Sequence, residues 1–96
     1  MTNVPKGMYV PIVTPFNDDQ TPNWEKFKKV IDFTIDSGID GMLIAESTGE
    51  YHMMTTDEHK EVLAKGLEFV AGRIPTIAGI GKSTTYATID MARFAE

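Results

Sequence analysis

Cysteine is absent from the 96 residues, which excludes disulfides and thiolate metal sites and is compatible with a cytosolic, cytoplasmic protein. Long apolar runs are absent too. The longest reach four or five residues, against the roughly 20 needed to span a bilayer. The start, Met1-Thr2-Asn3-Val4-Pro5-Lys6, has no apolar run after it, so no secretory signal is expected. There is no basic stripe to track a phosphate backbone. Acids and bases are interspersed around a net charge of −5, which argues against nucleic-acid binding. Nor is there a low-complexity tract: 42% apolar and 24% charged residues are the composition of a folded chain. A chain this short makes at most one domain, burying roughly two-thirds of its unfolded surface.

What is present is an alternation. Three apolar runs of strand length, Met8 to Val13, Met42 to Ala45 and Thr76 to Ile80, are each bounded by turn residues. Pro11 marks the first as an edge or irregular strand. Between them lie amphipathic segments. Thr21-Pro22 reads as an N-cap with proline at the first helical position, followed by Trp24, Phe27, Ile31 and Ile35 on one face and a stop at Gly38. Thr55-Thr56-Asp57-Glu58 is a capping box, and Leu63, Leu67 and Val70 form the expected buried stripe before Gly72. Ser83 or Thr84 opens a third helix through Ile89, Ala92 and Phe94.

The order β-α-β-α-β-α implies a parallel sheet with crossover helices. Gly38 and Gly72 stand 34 positions apart, and the same step relates Thr14, Thr48 and Lys82, each just past a strand. Such a period suits both eightfold barrels and doubly wound sheets. Eight units would need roughly 250 residues, and three are here. Residues 1–96 therefore read as a single incomplete domain with two open strand edges, expected to self-associate, to recruit a missing half or to be poorly soluble.

The stretch Gly41-Met42-Leu43-Ile44-Ala45-Glu46-Ser47-Thr48-Gly49-Glu50 runs from a strand into its loop, with Glu58 eight positions later. It closely resembles the signature of the dihydrodipicolinate synthase and N-acetylneuraminate lyase family of pyruvate-dependent class I aldolases. Gly7 through Val13-Thr14-Pro15-Phe16, Gly72 through Gly79, and Gly81 leading into Ser83-Thr84 agree in kind and order. The resemblance covers the whole chain, and it selects the N-terminal three βα units of a TIM (β/α)8 barrel.

The resemblance implies an enzyme whose lysine, after the sixth strand, condenses with a 2-oxo acid such as pyruvate. The Schiff base then acts as electron sink for aldol cleavage or condensation. No metal or organic cofactor is implied, and family members are homo-oligomers. Ser47 and Thr48 match the paired hydroxyl residues that bind the keto-acid carboxylate, and Ser47 matches a possible member of a hydroxyl relay. Gly49 and Glu50 match the structural part of the loop. None of the chain's seven lysines matches the Schiff-base position. These 96 residues alone are expected to be inactive. The resemblance leaves open dihydrodipicolinate synthesis, sialic acid cleavage and sugar-acid cleavage.

Glu46 departs from the family's leading glycine. A carboxylate about 4 Å from the substrate carboxylate would cost on the order of 4 kcal/mol at an effective dielectric of about 20. Glu46 must then point away, pair with a cation, or accompany a changed substrate. Tyr51 is larger than the residue usual there, and Lys82 stands where relatives carry a small or polar residue. His52 and His59, seven apart, lack the spacing of a helical metal pair and read as surface or satisfied histidines. Asp18-Asp19 reads as a polar loop, and Met53-Met54 as packing. Two alternatives from other classes are a non-catalytic assembly module or half of a split barrel, and a degenerate P-loop at Gly81-Lys82-Ser83-Thr84. The latter lacks the glycine five positions earlier, where Thr76 stands.

Overall fold

The computed structural model describes residues 6–96, so the hydrophilic start from Met1 to Pro5 lies outside the described residues. The elements run β1 (Tyr9–Pro11), α1 (Trp24–Asp36), β2 (Gly41–Ile44), a single 3₁₀ turn (Tyr51–Met53), α2 (Thr56–Val70), β3 (Thr76–Ala78) and α3 (Thr85–Ala95). The three strands pair in parallel in the order β1-β2-β3, as the alternation predicts. β1 and β3 are shorter than their apolar runs, because the residues beyond the ladder turn into loops, and β2 begins one residue earlier than its run, at Gly41. Among the described residues β1 and β3 are both edges, and Pro11 sits on one of them.

The register fixes two faces. Val10, Met42 and Thr76 share one row, and Pro11, Leu43 and Ile77 share the next. Met42 and Ile44 are fully buried, in a core with Phe27, Ile31, Val62, Leu63 and Met91. The opposite face is only partly covered: Ile77 is 37% exposed, Pro11 is exposed and Leu43 between them is half-buried. Parallel sheets are normally covered on both faces, so an apolar open face is the signature of a barrel interior or of a second layer.

The first helix starts later than Thr21-Pro22 suggests. Thr21 gives its N–H and its hydroxyl to Asp19 Oδ1 at 3.0 and 2.6 Å, and Pro22 bridges back to Phe16. With its hydroxyl committed to that loop, Thr21 cannot cap. Asn23 does, accepting the Lys26 N–H at 2.9 Å. Phe27 and Ile31 are buried and Trp24 and Ile35 half-buried, which is the predicted stripe. Gly38, at φ 87°, ends it.

The capping box of α2 is present in both directions, Thr55 N–H to Glu58 Oε1 at 2.9 Å and Glu58 N–H to Thr55 Oγ1 at 3.1 Å. Its buried face is His59, Val62, Leu63, Gly66 and Val70. Leu67 is 42% exposed, contrary to the predicted stripe. The reason is Gly66. A Cβ there would lie 2.9 Å from Ile44 Cδ1, so α2 rides on β2 at its glycine and turns Leu67 outward. α3 forms as expected, capped by Thr84 to the Ala87 N–H at 3.1 Å; Met91 is its buried residue, while Ile89 and Phe94 are exposed. Lys60 Nζ lies 5.4 Å from the Phe94 ring, which takes up part of that exposure. Arg73 ties the helices from below, donating to Asp32 at 2.8 Å and to the Phe69 and Val70 carbonyls.

Candidate functional site

Three loops leave the carboxyl ends of the strands side by side: Ile12 to Phe16 after β1, Ala45 to Glu50 after β2, and Gly79 to Thr84 after β3. The middle one carries Ser47 and Thr48. Two residues without glycine's freedom, Ala45 at φ 61° and Glu50 at φ 63°, bracket it in the left-handed region. Such residues cost about 1–2 kcal/mol each and persist only where the surroundings hold them.

The surroundings here are two glycines. Gly49 is buried, and a Cβ on it would lie 3.1 Å from Ala45 Cα and 3.2 Å from the Ile12 carbonyl oxygen. Gly79 donates its N–H to the Ile44 carbonyl at 2.7 Å. A Cβ on Gly79 would crowd the Ala45 carbonyl oxygen at 2.3 Å and meet the Glu46 nitrogen at 3.0 Å. Ser47 and Thr48 therefore stand on a turn wedged between the exits of β1 and β3. Both are exposed, and no described backbone group binds their hydroxyls; the Ser47 carbonyl instead closes the turn on the Glu50 N–H at 3.0 Å. Thr14 is buried beside β1's exit with its Oγ1 unpartnered.

Behind the turn lies His59, which is fully buried. Its Nε2 sits 2.7 Å from the Gly79 carbonyl oxygen, while Nδ1 is buried with no partner. Tyr51 covers the ring at a centroid distance of 5.9 Å. Burial pushes the imidazole below its ordinary value; the bond to Gly79 opposes this, the charge of Lys82 lowers it further, and that of Glu46 raises it. Glu46 itself is half-buried. His52 is exposed, packed edge-on against Tyr51. A cleft of about 260 Å³ between the 3₁₀ turn and the β3 loop is lined by Tyr51, His52, Met54, Gly81, Lys82 and Ser83, and does not include Ser47 or Thr48. Met54 packs into the core whereas Met53 is 71% exposed, so only one of the pair fills a gap.

The Gly81-Lys82-Ser83-Thr84 turn does not form a phosphate cradle. The Lys82 N–H is given to Thr88 Oγ1 at 3.2 Å and Thr84 Oγ1 is spent on capping α3, so neither faces a ligand. Asp19 holds Thr21 within a polar loop, and these bonds keep its carboxyl below the usual range. Among the described residues no group of three or more His, Cys, Asp or Glu side chains could hold a metal ion.

Because the folded chain depresses the His59 pKa, the unfolded chain binds its proton first as pH falls. Stability present above about pH 6.5 is expected to be lost as pH falls through the folded value, with a slope up to about 1.4 kcal/mol per pH unit for one proton. Urea midpoints measured across this range check it, and His59→Gln should flatten the slope.

The sequence profile of the dihydrodipicolinate synthetase family matches residues 4–96. The chain belongs to that family. It is 40% identical over 91 residues to 4-hydroxy-tetrahydrodipicolinate synthase of Methanosphaera stadtmanae, covering 95% of this chain and 31% of that protein. The dihydrodipicolinate synthase of Acinetobacter baumannii, solved in complex with pyruvate, superposes with a TM-score of 0.90 at 29% identity, over 96% of this chain and 32% of that one. N-acetylneuraminate lyase of Mycoplasma synoviae gives 0.87 at 34% identity, over 95% and 32%. The chain thus spans about a third of the length of its relatives and forms the N-terminal three βα units of their TIM barrel. Its open sheet face corresponds to the face that lines the interior of such barrels, and the Ser47-Thr48 loop lies at the carboxyl end of the strands, where such barrels carry their sites. The family is one of lyases. No described helix is long and apolar enough to cross a membrane.

Proposed function

We propose that residues 1–96 are a single incomplete domain supplying the carboxylate-binding part of a Schiff-base lyase or aldolase that acts on pyruvate or a related 2-oxo acid. The observation that carries this reading is the exposed, uncommitted Ser47-Thr48 pair on a turn held by strained residues at the mouth of the sheet. A small carboxylate needs several short donors fixed before it arrives. Two adjacent hydroxyls with their backbone N–H groups offer that, and the left-handed residues on either side keep the donors from collapsing into ordinary turn bonds. In this reading Ser47 and Thr48 bind the carboxylate, the Ser47 hydroxyl also passes a proton, and Gly49 and Glu50 hold the loop. A relative solved with pyruvate supports the substrate class.

The nucleophile is a separate matter. None of the seven lysines stands at the end of a sixth strand, and only three strands are described. On their own these residues bind without turning over, and the activity, the homo-oligomeric assembly and the cytoplasmic setting belong to a barrel completed by further βα units.

Two measurements test the proposal. Titration of the ¹⁵N-labelled chain with pyruvate is expected to move the Ser47 and Thr48 amide resonances, and Ser47→Ala with Thr48→Ala to abolish the response; a flat titration would sink the clamp. Borohydride reduction in the presence of pyruvate should leave the intact mass unchanged. An adduct, on Lys82 for example, would overturn the statement that the nucleophile is absent.

A further inference from the structure

We propose that His59 is a positioning residue for the Ser47-Thr48 turn, acting through the Gly79 carbonyl. The inference rests on the clamp reading above for its functional meaning, but its structural content stands apart from it. A carbonyl oxygen only accepts, so the 2.7 Å contact makes Nε2 the protonated nitrogen and leaves Nδ1 as a bare lone pair. The absence of a protein partner on Nδ1 agrees with that tautomer, since a second N–H there would be a buried donor with no acceptor from the chain.

The two peptide groups that flank the Gly79 α-carbon are then each pinned. The Gly79 N–H goes to Ile44 at 2.7 Å and its carbonyl to His59 at 2.7 Å. Between these two bonds its bare α-carbon lies against the Ala45 carbonyl and the Glu46 nitrogen, with no room for a methyl group. Ala45 is the left-handed residue that starts the turn. Its conformation is unfavourable by itself, so its surroundings must block its relaxation; Gly49 backs its α-carbon and nitrogen, and the Gly79 backbone backs its carbonyl. Release of the carbonyl would let the Gly79 peptide rotate away, Ala45 relax and the Ser47 and Thr48 donors swing with it. The charged or titratable groups bearing on the ring are Tyr51, tilted against it at 35°, and Lys82 and Glu46 from the two loops. His59 thereby joins α2 to both loops of the site.

The test compares His59→Leu, which keeps bulk and removes the donor, with His59→Gln, whose amide nitrogen reaches as far as Nε2. Both are made in a His52→Asn background so that position 59 carries the only imidazole of the parent. The leucine variant is expected to shift the amide resonances of Ala45 to Thr48 and to speed hydrogen exchange at the Gly79 amide about tenfold, leaving Phe27 and Ile31 unchanged. Glutamine should restore both, and the pyruvate midpoint should follow the same order. Undisturbed resonances at 45–48 in the leucine variant, or equal disturbance throughout α1, would overturn the proposal. If neither variant folds, hydrogen exchange in the parent decides it: with rising urea the Gly79 amide and amides 45–48 must open together and before those of α1, and separate opening refutes the coupling. The loop readout uses no pyruvate, so a flat pyruvate titration counts against the clamp alone.

Discussion

Replacing Gly79 with alanine is expected to destabilise the chain by about 1–3 kcal/mol and to disorder the Ser47-Thr48 turn. The added Cβ would meet the Ala45 carbonyl oxygen at 2.3 Å, closer than real contacts allow, and the obstacle is backbone. Backbone in a parallel ladder cannot step aside cheaply. Moving Gly79 lengthens its bonds to Ile44 and His59, and moving Ala45 undoes the left-handed start of the turn. Gly81 supplies the contrast. The nearest atoms a Cβ there would meet belong to the Tyr51 side chain, at 3.2 Å, and a ring can tilt. Gly81→Ala should therefore cost less than Gly79→Ala. Thermal unfolding of both variants measures this, at roughly 4–8 °C per kcal/mol for a chain of this size. Equal melting temperatures would mean that the exits of β2 and β3 are not packed as described.

The difference between those two glycines shows what could be read from residues alone. Local chemistry was legible. The capping box at Thr55 and Glu58 needs only four consecutive residues, and both of its bonds form. The β-α order and the glycine stop at Gly38 follow from pattern within a single element. The site motif was legible as Ser47-Thr48, but not the manner in which it is held. Non-local packing decided that. Thr21 looked like a cap because its use by Asp19 depends on a loop conformation that no propensity encodes. Leu67 looked buried because the centre of the α2 face is a glycine, and a glycine adds nothing to an apolar stripe. The same stripe, once centred on Gly66, runs through Val62, Leu63 and His59. That helical spacing was the signal that could have placed His59 inside, although its partner on β3's exit is 20 residues away and invisible to periodicity. Ala45 was the least readable: a left-handed alanine is imposed by Gly79 and Gly49, not chosen by its own sequence.

Phe27→Ala is expected to cost about 3–5 kcal/mol, the largest single effect foreseen for this chain. Phe27 is fully buried at the junction of α1, α2 and β2, with Trp24 at a centroid distance of 6.1 Å and Phe69 edge-on at 6.0 Å. Its ring also lies beside the bare flank of Gly66, where a Cβ would be 3.5 Å away, so it fills the space that lets α2 settle on Ile44. Truncation leaves a cavity that neither a glycine nor a parallel strand can close. Small domains hold only about 5–15 kcal/mol in total, so the loss takes a large part of the stability. Phe33, on the same helix but 73% exposed, is the internal control, and Phe33→Ala should change stability by no more than about 0.5 kcal/mol. Urea unfolding followed by the fluorescence of Trp24, the single tryptophan, reports both variants from a residue touching the cavity. A small effect at Phe27 would mean that α1 is not what seats β2. In that case the Ser47-Thr48 loop, which leaves the end of that strand, would owe its position to the β1 and β3 exits alone.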